Sequence, residues 1–154
     1  MLLHFCLSQS DRRWGVTASS VGVQPGQTFP PRKFGPISMT DVVRYQGASG
    51  DLNPMHHDDE MARAAGYPAS FSVGMLGAGY LAAYCTELFG VRTVRRFRTR
   101  FRKVVYRGEV LTARAVVRGI RRSGDTACVE LGLELVDSTG AVVVDGSAEF
   151  LAES

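Results

Sequence analysis

The stretch SVGMLGAGYLAAYCTELFG, residues 72–90, decides the architecture of this chain. Ser72 is placed to cap a helix and Gly90 to stop one. Between them small and apolar residues fall on nearly every side, so a long helix is expected, buried all round. The uncharged run from Ala69 to Thr86 is at the lower edge of the ~20 apolar residues a membrane span needs. Its glycines (Gly74, Gly77, Gly79) and hydroxyl residues suit close packing inside a protein better, so no membrane span is expected.

After Gly90 the pattern changes from helical to a period of two. Val129, Leu131, Leu133 and Leu135 alternate with Glu130 and Glu134, as in a half-buried strand. Val142, Val144 and Phe150 alternate with Asp145, Ser147 and Glu149 in the same way. Ser123-Gly-Asp125 and Asp137-Ser-Thr-Gly140 are hairpin turns. Strands are therefore predicted at 94–105, 109–121, 126–136 and 141–151, running as a meander. Upstream, Gly26-Gln-Thr-Phe29 predicts a short strand before Pro30-Pro31. Ser38-Met-Thr-Asp41 resembles a capping box opening a helix through about Gln46. Asp58-Asp-Glu60 starts a second short helix that Gly66 ends. The fold class is α+β: a curved antiparallel sheet wrapped around one long buried helix.

Between the two short helices lies Ser-Gly-Asp-Leu-Asn-Pro-Met-His-His-Asp-Asp, residues 49–59. Pro54 has no N–H and biases Asn53 away from helical angles, which makes this a stiff, non-repetitive loop. Such a loop is able to aim Asp51 and His56 at one point. A carboxylate and an imidazole so placed bind a water between two proton acceptors, as general acid–base chemistry requires. Taken residue by residue, Asp-x-Asn-Pro is equally ordinary turn chemistry.

The whole string resembles the signature of the MaoC-like dehydratases, the family of the (R)-specific enoyl-CoA hydratases. The matching elements are Gly50, Asp51, Asn53, Pro54, Met55, His56, Asp58, Gly66-Tyr67 and Gly74-Met75. More weakly, the likeness extends from about Val21 to the C-terminus through Phe101 and Tyr106-Arg-Gly-Glu-Val-Leu111. It implies a single hot-dog fold and reversible hydration of a trans-2-enoyl thioester, carried by CoA or acyl carrier protein, to the (R)-3-hydroxyacyl product. It implies Asp51 and His56 as catalytic residues, Asn53 as support for the loop or the water, and no cofactor or metal. Many members have His where this chain has Val73, a departure bearing on acyl specificity. A proline usual in the strand before the Gly-Glu turn is Val104 or Val105 here.

Gly74 falls in the first helical turn, where N–H groups are unpaired and the dipole is positive. With no side chain it lets a thioester oxygen approach its N–H, and Val73 and Met75 flank it as substrate-contacting candidates. The plainer role, a helix–sheet packing glycine, is the one expected for Gly77 and Gly79. Asp58 is explained as a helix cap, His57 and Asp59 are weaker candidates, and Tyr80 and Tyr84 are core.

The remaining composition fits one domain. The 154 residues, 45% hydrophobic, suffice for a single core, expected over 21–154. Residues 1–20 match neither pattern and are expected to be a disordered extension or an overcalled start. Cys6, Cys85 and Cys128 are odd in number and far apart, which argues for a reduced, cytoplasmic setting and against structural zinc. Phe97, Thr99 and Phe101 share one strand face, Arg96, Arg98, Arg100 and Arg102 the other. That stripe would attract CoA phosphates or an acidic carrier, while a net charge of +3 is too small to favour nucleic acid. One such unit leaves sheet edges open, so a homodimer is expected, or a heterodimer. Two other functions share these parts, a hot-dog thioesterase and a non-catalytic subunit of a heteromeric dehydratase. The intact Asp51/His56 string speaks against the second.

Overall fold

The computed structural model describes residues 23–124 and 126–153, so the expectation for residues 1–20 and the start of the domain at 21 lie outside the described residues. Five strands form one antiparallel sheet: β1 (Arg32–Phe34), β2 (Val94–Phe101), β3 (Leu111–Ser123), β4 (Thr126–Val136) and β5 (Val142–Glu153). Their order is β1-β3-β4-β5-β2. The last three in sequence are consecutive hairpin neighbours, as the alternation of apolar and polar residues predicts. β2 departs from the expected meander. Residues 102–110 are too long for a tight turn, and the strand pairs with β5 at the far edge, Phe97 opposite Ala148. It also ends four residues early, at Phe101, where Arg102 and Lys103 both donate their N–H to the Val143 carbonyl.

The first strand is shifted from its expected place. Thr28 makes a single bridge to Val116, and continuous pairing begins only at Arg32. Pro30 and Pro31 lie between, and neither has an N–H to give the ladder.

Helix α1 (Met39–Ser49) opens with the expected capping box: Asp41 N–H donates to Ser38 Oγ, and Ser38 N–H to the Asp41 carboxylate. It runs one turn beyond Gln46 and closes at Gly50, whose φ of 74° is left-handed. Helix α2 is Asp59–Ala64, and α3 is Gly74–Phe89, the long helix inside the curve of the sheet. Leu81, Cys85 and Phe89 of α3 are buried with Leu131, Leu133, Leu135 and Phe150 in one core. Each fully buried Leu or Phe contributes ~1.5–3 kcal/mol. Gly77 lets helix and sheet approach closely, since a Cβ there would lie 3.2 Å from Val144 and 3.4 Å from Leu135.

Two expectations for α3 are corrected. Its N-cap is Val73, with no side-chain cap, and Ser72 lies one position earlier with its N–H donating to the Val105 carbonyl at 2.7 Å. Nor is the helix buried all round. Met75 is 53% exposed, and Gly79, Ala83 and Glu87 continue the same stripe at four-residue steps. A single sheet wraps one side of a helix and leaves the other open. Gly79 lies on that open side with nothing near it, so it has no packing role in the single chain.

Candidate active site

The loop between α1 and α2 brings Asp51 and His56 together. The carboxylate Oδ2 stands 3.6 Å from His56 Nε2, too long for a good hydrogen bond. Its other oxygen accepts from the Asn53 N–H at 3.3 Å, which anchors the side chain across its own turn. Asn53 Oδ1 accepts from the Met55 N–H and caps a one-turn 3₁₀ helix, Pro54–His56. Pro54 suits its first position, where no N–H is needed. Asn53 thus supports the loop through its side-chain oxygen.

His56 is 8% exposed and packs edge-on against Phe71, ring centroids 5.1 Å apart. Its Nδ1 lies 3.0 Å from the Phe71 carbonyl. A carbonyl only accepts, so Nδ1 carries a hydrogen, and in the neutral form of the ring Nε2 is the nitrogen that presents a lone pair. Two acceptors, Nε2 and the Asp51 carboxylate, then face one another across a gap. A water donating one hydrogen to each satisfies both.

The Phe71 carbonyl is itself fixed. Phe71 N–H donates to the Met55 carbonyl at 3.3 Å, and Phe71 bridges to Tyr106. Next to it, the Ser70 N–H and hydroxyl both donate to Asp59 Oδ1, at 2.9 and 2.7 Å. Arg107 also donates to that carboxylate. The Ser70 hydrogen bonds, and then the Arg107 charge, hold the Asp59 carboxyl at about 2. Asp59 therefore ties the His56 loop to the segment entering α3. Asp58 is the α2 cap, accepting from the Glu60 and Met61 N–H groups.

From Phe71 the chain reaches Gly74 in three residues, at most about 10 Å of backbone. The helix therefore opens, uncapped and positive at its N-terminus, within about 10 Å of the residue whose carbonyl holds His56. Behind it opens a cavity of about 370 Å³, lined in part by Val73, Gly74, Tyr80, Phe101 and Val105. Phe101, placed by its alternation on the core face, is 48% exposed and forms a wall of this cavity next to Gly74. Val73 lines the cavity, whereas Met75 points away on the exposed stripe and is not among its lining residues. Tyr84 is core as expected, its hydroxyl donating to the Pro30 carbonyl. Tyr80 stacks on Phe34 and also faces the cavity. In the arginine stripe, Arg96 pairs with Glu149 and Arg102 with Asp145.

Two supports were not legible from the sequence, Gln46 and the Asp59–Ser70–Arg107 tie. Gln46 sits in α1 with only 4% exposure and bonds the motif loop. A buried polar residue on the inner face of a short helix was the available signal. Among the described residues no three His, Cys, Asp or Glu side chains cluster to hold a metal ion, and no helix is long and apolar enough to cross a membrane.

The family pattern described as a MaoC like domain matches residues 20–139. The chain is 27% identical over 115 residues to the (R)-specific enoyl-CoA hydratase of Rhodospirillum rubrum, covering 70% of this chain and 80% of that protein. It is 27% identical over 114 residues to the mitochondrial 3-hydroxyacyl-[acyl-carrier-protein] dehydratase of Solanum lycopersicum, covering 74% of this chain and 69% of the other. Other relatives are longer, and the matched segment is 15–38% of their length. Among solved structures, the R-hydratase of Pseudomonas aeruginosa superposes with a TM-score of 0.78 at 24% identity, over 90% of this chain and 87% of that one. The chain belongs to the MaoC-like dehydratase family and is a hydratase/dehydratase of hot-dog fold.

Proposed function

We propose that this chain adds water reversibly to a trans-2-enoyl thioester of CoA or acyl carrier protein, giving the (R)-3-hydroxyacyl thioester, with Asp51 and His56 as its catalytic residues. The observation carrying this reading is the 3.6 Å gap between Asp51 Oδ2 and His56 Nε2, with His56 Nδ1 already committed to the Phe71 carbonyl. The pair holds one water by accepting both its hydrogens. As the water oxygen bonds to C3, one proton passes to the pair, and the pair delivers a proton to C2. One water is consumed and the pair ends as it began. Charge that builds on the thioester oxygen meets the Gly74 N–H and the positive end of α3, where preorganised donors are most effective. Incubation with enoyl-CoAs of graded length tests this: loss of the conjugated absorbance without release of free CoA supports hydration. Free thiol appearing instead would assign thioester hydrolysis.

The acyl chain is proposed to enter the cavity behind Gly74, with Val73 in its wall. Replacing Val73 by His is expected to lower kcat/KM for long or branched enoyl thioesters more than for crotonyl-CoA. One pocket contact of this kind shifts discrimination by ~1–3 kcal/mol. An equal effect at all chain lengths would show that Val73 serves only packing.

The functional unit is proposed to be a dimer in a reducing, cytoplasmic setting, where the unpaired Cys85 and Cys128 remain thiols. β2 is an open edge, and Phe101 and the Met75 stripe are exposed beside it. A second chain covering that side would pair the edge and bury the stripe. Light scattering at micromolar concentration is expected to give twice the chain mass, and a monomer mass would contradict the proposal.

A further inference from the structure

Gln46 makes three hydrogen bonds from a nearly sealed position on α1. Its Nε2 donates to the Asp51 carbonyl at 2.8 Å and to the Asn53 carbonyl at 3.0 Å. Its Oε1 lies 2.9 Å from His57 Nδ1. An amide nitrogen has two hydrogens, and both are used. The amide therefore has one workable orientation, because turning it over would press its oxygen against two carbonyl oxygens. With Oε1 an acceptor only, His57 Nδ1 must carry a hydrogen and donate it. His57 is exposed, so its bond closes the network from outside, and its own N–H is bonded to the Pro54 carbonyl.

We propose that Gln46 and His57 are a positioning pair for hydration. Gln46 grips the backbone on either side of Leu52 and so sets the direction of the Asp51 carboxylate, while His57, adjacent to His56, locks the amide that does the gripping. The inference rests on the hydratase reading of Asp51 and His56. Neither residue touches the reacting water, and each acts through the loop. A loop left to its local bonds would hold Asp51 by two long ones, 3.3 Å from the Asp51 N–H to the Ser49 hydroxyl and 3.3 Å from the Asn53 N–H to the Asp51 carboxylate. Small displacements of this kind matter, because a misplacement of about 1 Å at a catalytic group costs up to ~10²-fold in rate.

The test compares wild type, His57→Ala, His57→Asn, Gln46→Leu and the double variant His57→Ala/Gln46→Leu on crotonyl-CoA. His57→Ala alters an exposed side chain and keeps the fold, so it carries the test even if Gln46→Leu does not fold. It is expected to lower kcat about tenfold with KM changed less than about twofold, as for a displaced catalytic group. His57→Asn, which keeps an N–H donor near the Nδ1 position, is expected to restore most of that loss. The double variant is expected to be no slower than Gln46→Leu alone, because His57 acts through Gln46. An unchanged kcat in His57→Ala, no advantage of Asn over Ala, or additive losses in the double variant would overturn the proposal. A wild-type chain inactive on enoyl thioesters overturns the hydratase reading together with it, whereas an active wild type with an unaffected His57→Ala overturns the positioning pair alone.

Discussion

Asp51→Asn and His56→Ala are each expected to lower kcat for enoyl-thioester hydration by about 10²–10⁴-fold, the usual worth of a positioned proton-transfer group. The two losses have different origins. In Asp51→Asn the carbonyl oxygen keeps the bond from the Asn53 N–H, which turns the new NH₂ towards His56 Nε2. A donor then faces the lone pair, and the water loses both its acceptors at once. In His56→Ala the loss extends to packing, since the ring is buried against Phe71 and bonded to its carbonyl. Leaving that carbonyl unsatisfied costs about 1–3 kcal/mol, so this variant is also expected to be less stable. The double variant should be scarcely slower than either single one, because both residues act on one water. Enoyl absorbance followed with variants whose circular dichroism matches wild type checks all three. Turnover near the wild-type rate in either single variant would sink the mechanism.

Why the juxtaposition of Asp51 and His56 could be read from the sequence and its supports could not is a matter of range. Pro54 and Asn53 act within the loop itself, so the local string already specified a rigid turn that brings two side chains together. Gln46, Asp59 and Arg107 work across elements. Arg107 reaches Asp59 over 48 positions, and His56 finds its carbonyl partner 15 residues away at Phe71. Nothing in the periodicity of either segment announces such partners. Asp59 in particular looked like one more acidic residue in the first turn of α2, which it is, and nothing local marked its further bonds to Ser70 and Arg107.

The fold divides along a similar line. β3, β4 and β5 alternate over most of their length, with register shifts near Val117 and Leu135, and are joined by short turns, so pattern and neighbourhood agreed. β2 alternates just as clearly, yet its partner is the last strand, which only the nine-residue connection at 102–110 hinted at. The exposed side of α3 shows another limit. Met75, Gly79 and Ala83 are apolar or small, and composition does not distinguish a face buried by the chain's own sheet from one left open. The helix begins one residue later than a Ser72 cap implies, at the N-cap Val73, with Ser72 held across the fold by its N–H bond to the Val105 carbonyl.

Gly74→Val is expected to lower kcat by about 10²–10³-fold, the cost of losing one preorganised oxyanion donor. Gly74 opens α3 with no side chain above its N–H and no cap competing for the helix terminus. The space around it is already occupied on one side. A Cβ added there would lie 3.3–3.6 Å from three ring atoms of Phe101, tighter than comfortable contact at its nearest point. A single methyl can be met by a small shift of that half-exposed ring, so Gly74→Ala is expected to lose rate only in part. The two further methyls of Val have no such outlet and must turn towards the approach to the N–H. Helix propensity does not confound the comparison, because Val is less than about 1 kcal/mol worse than Ala in a helix interior, and Gly is worse still. Thermal denaturation separates the two roles of the glycine. If Gly74 serves only to fit against Phe101, the rate of Gly74→Val falls together with its thermal midpoint. If its N–H receives the thioester oxygen, the rate falls while the midpoint and circular dichroism stay at wild-type values, because the obstruction lies at the N–H and not in the core.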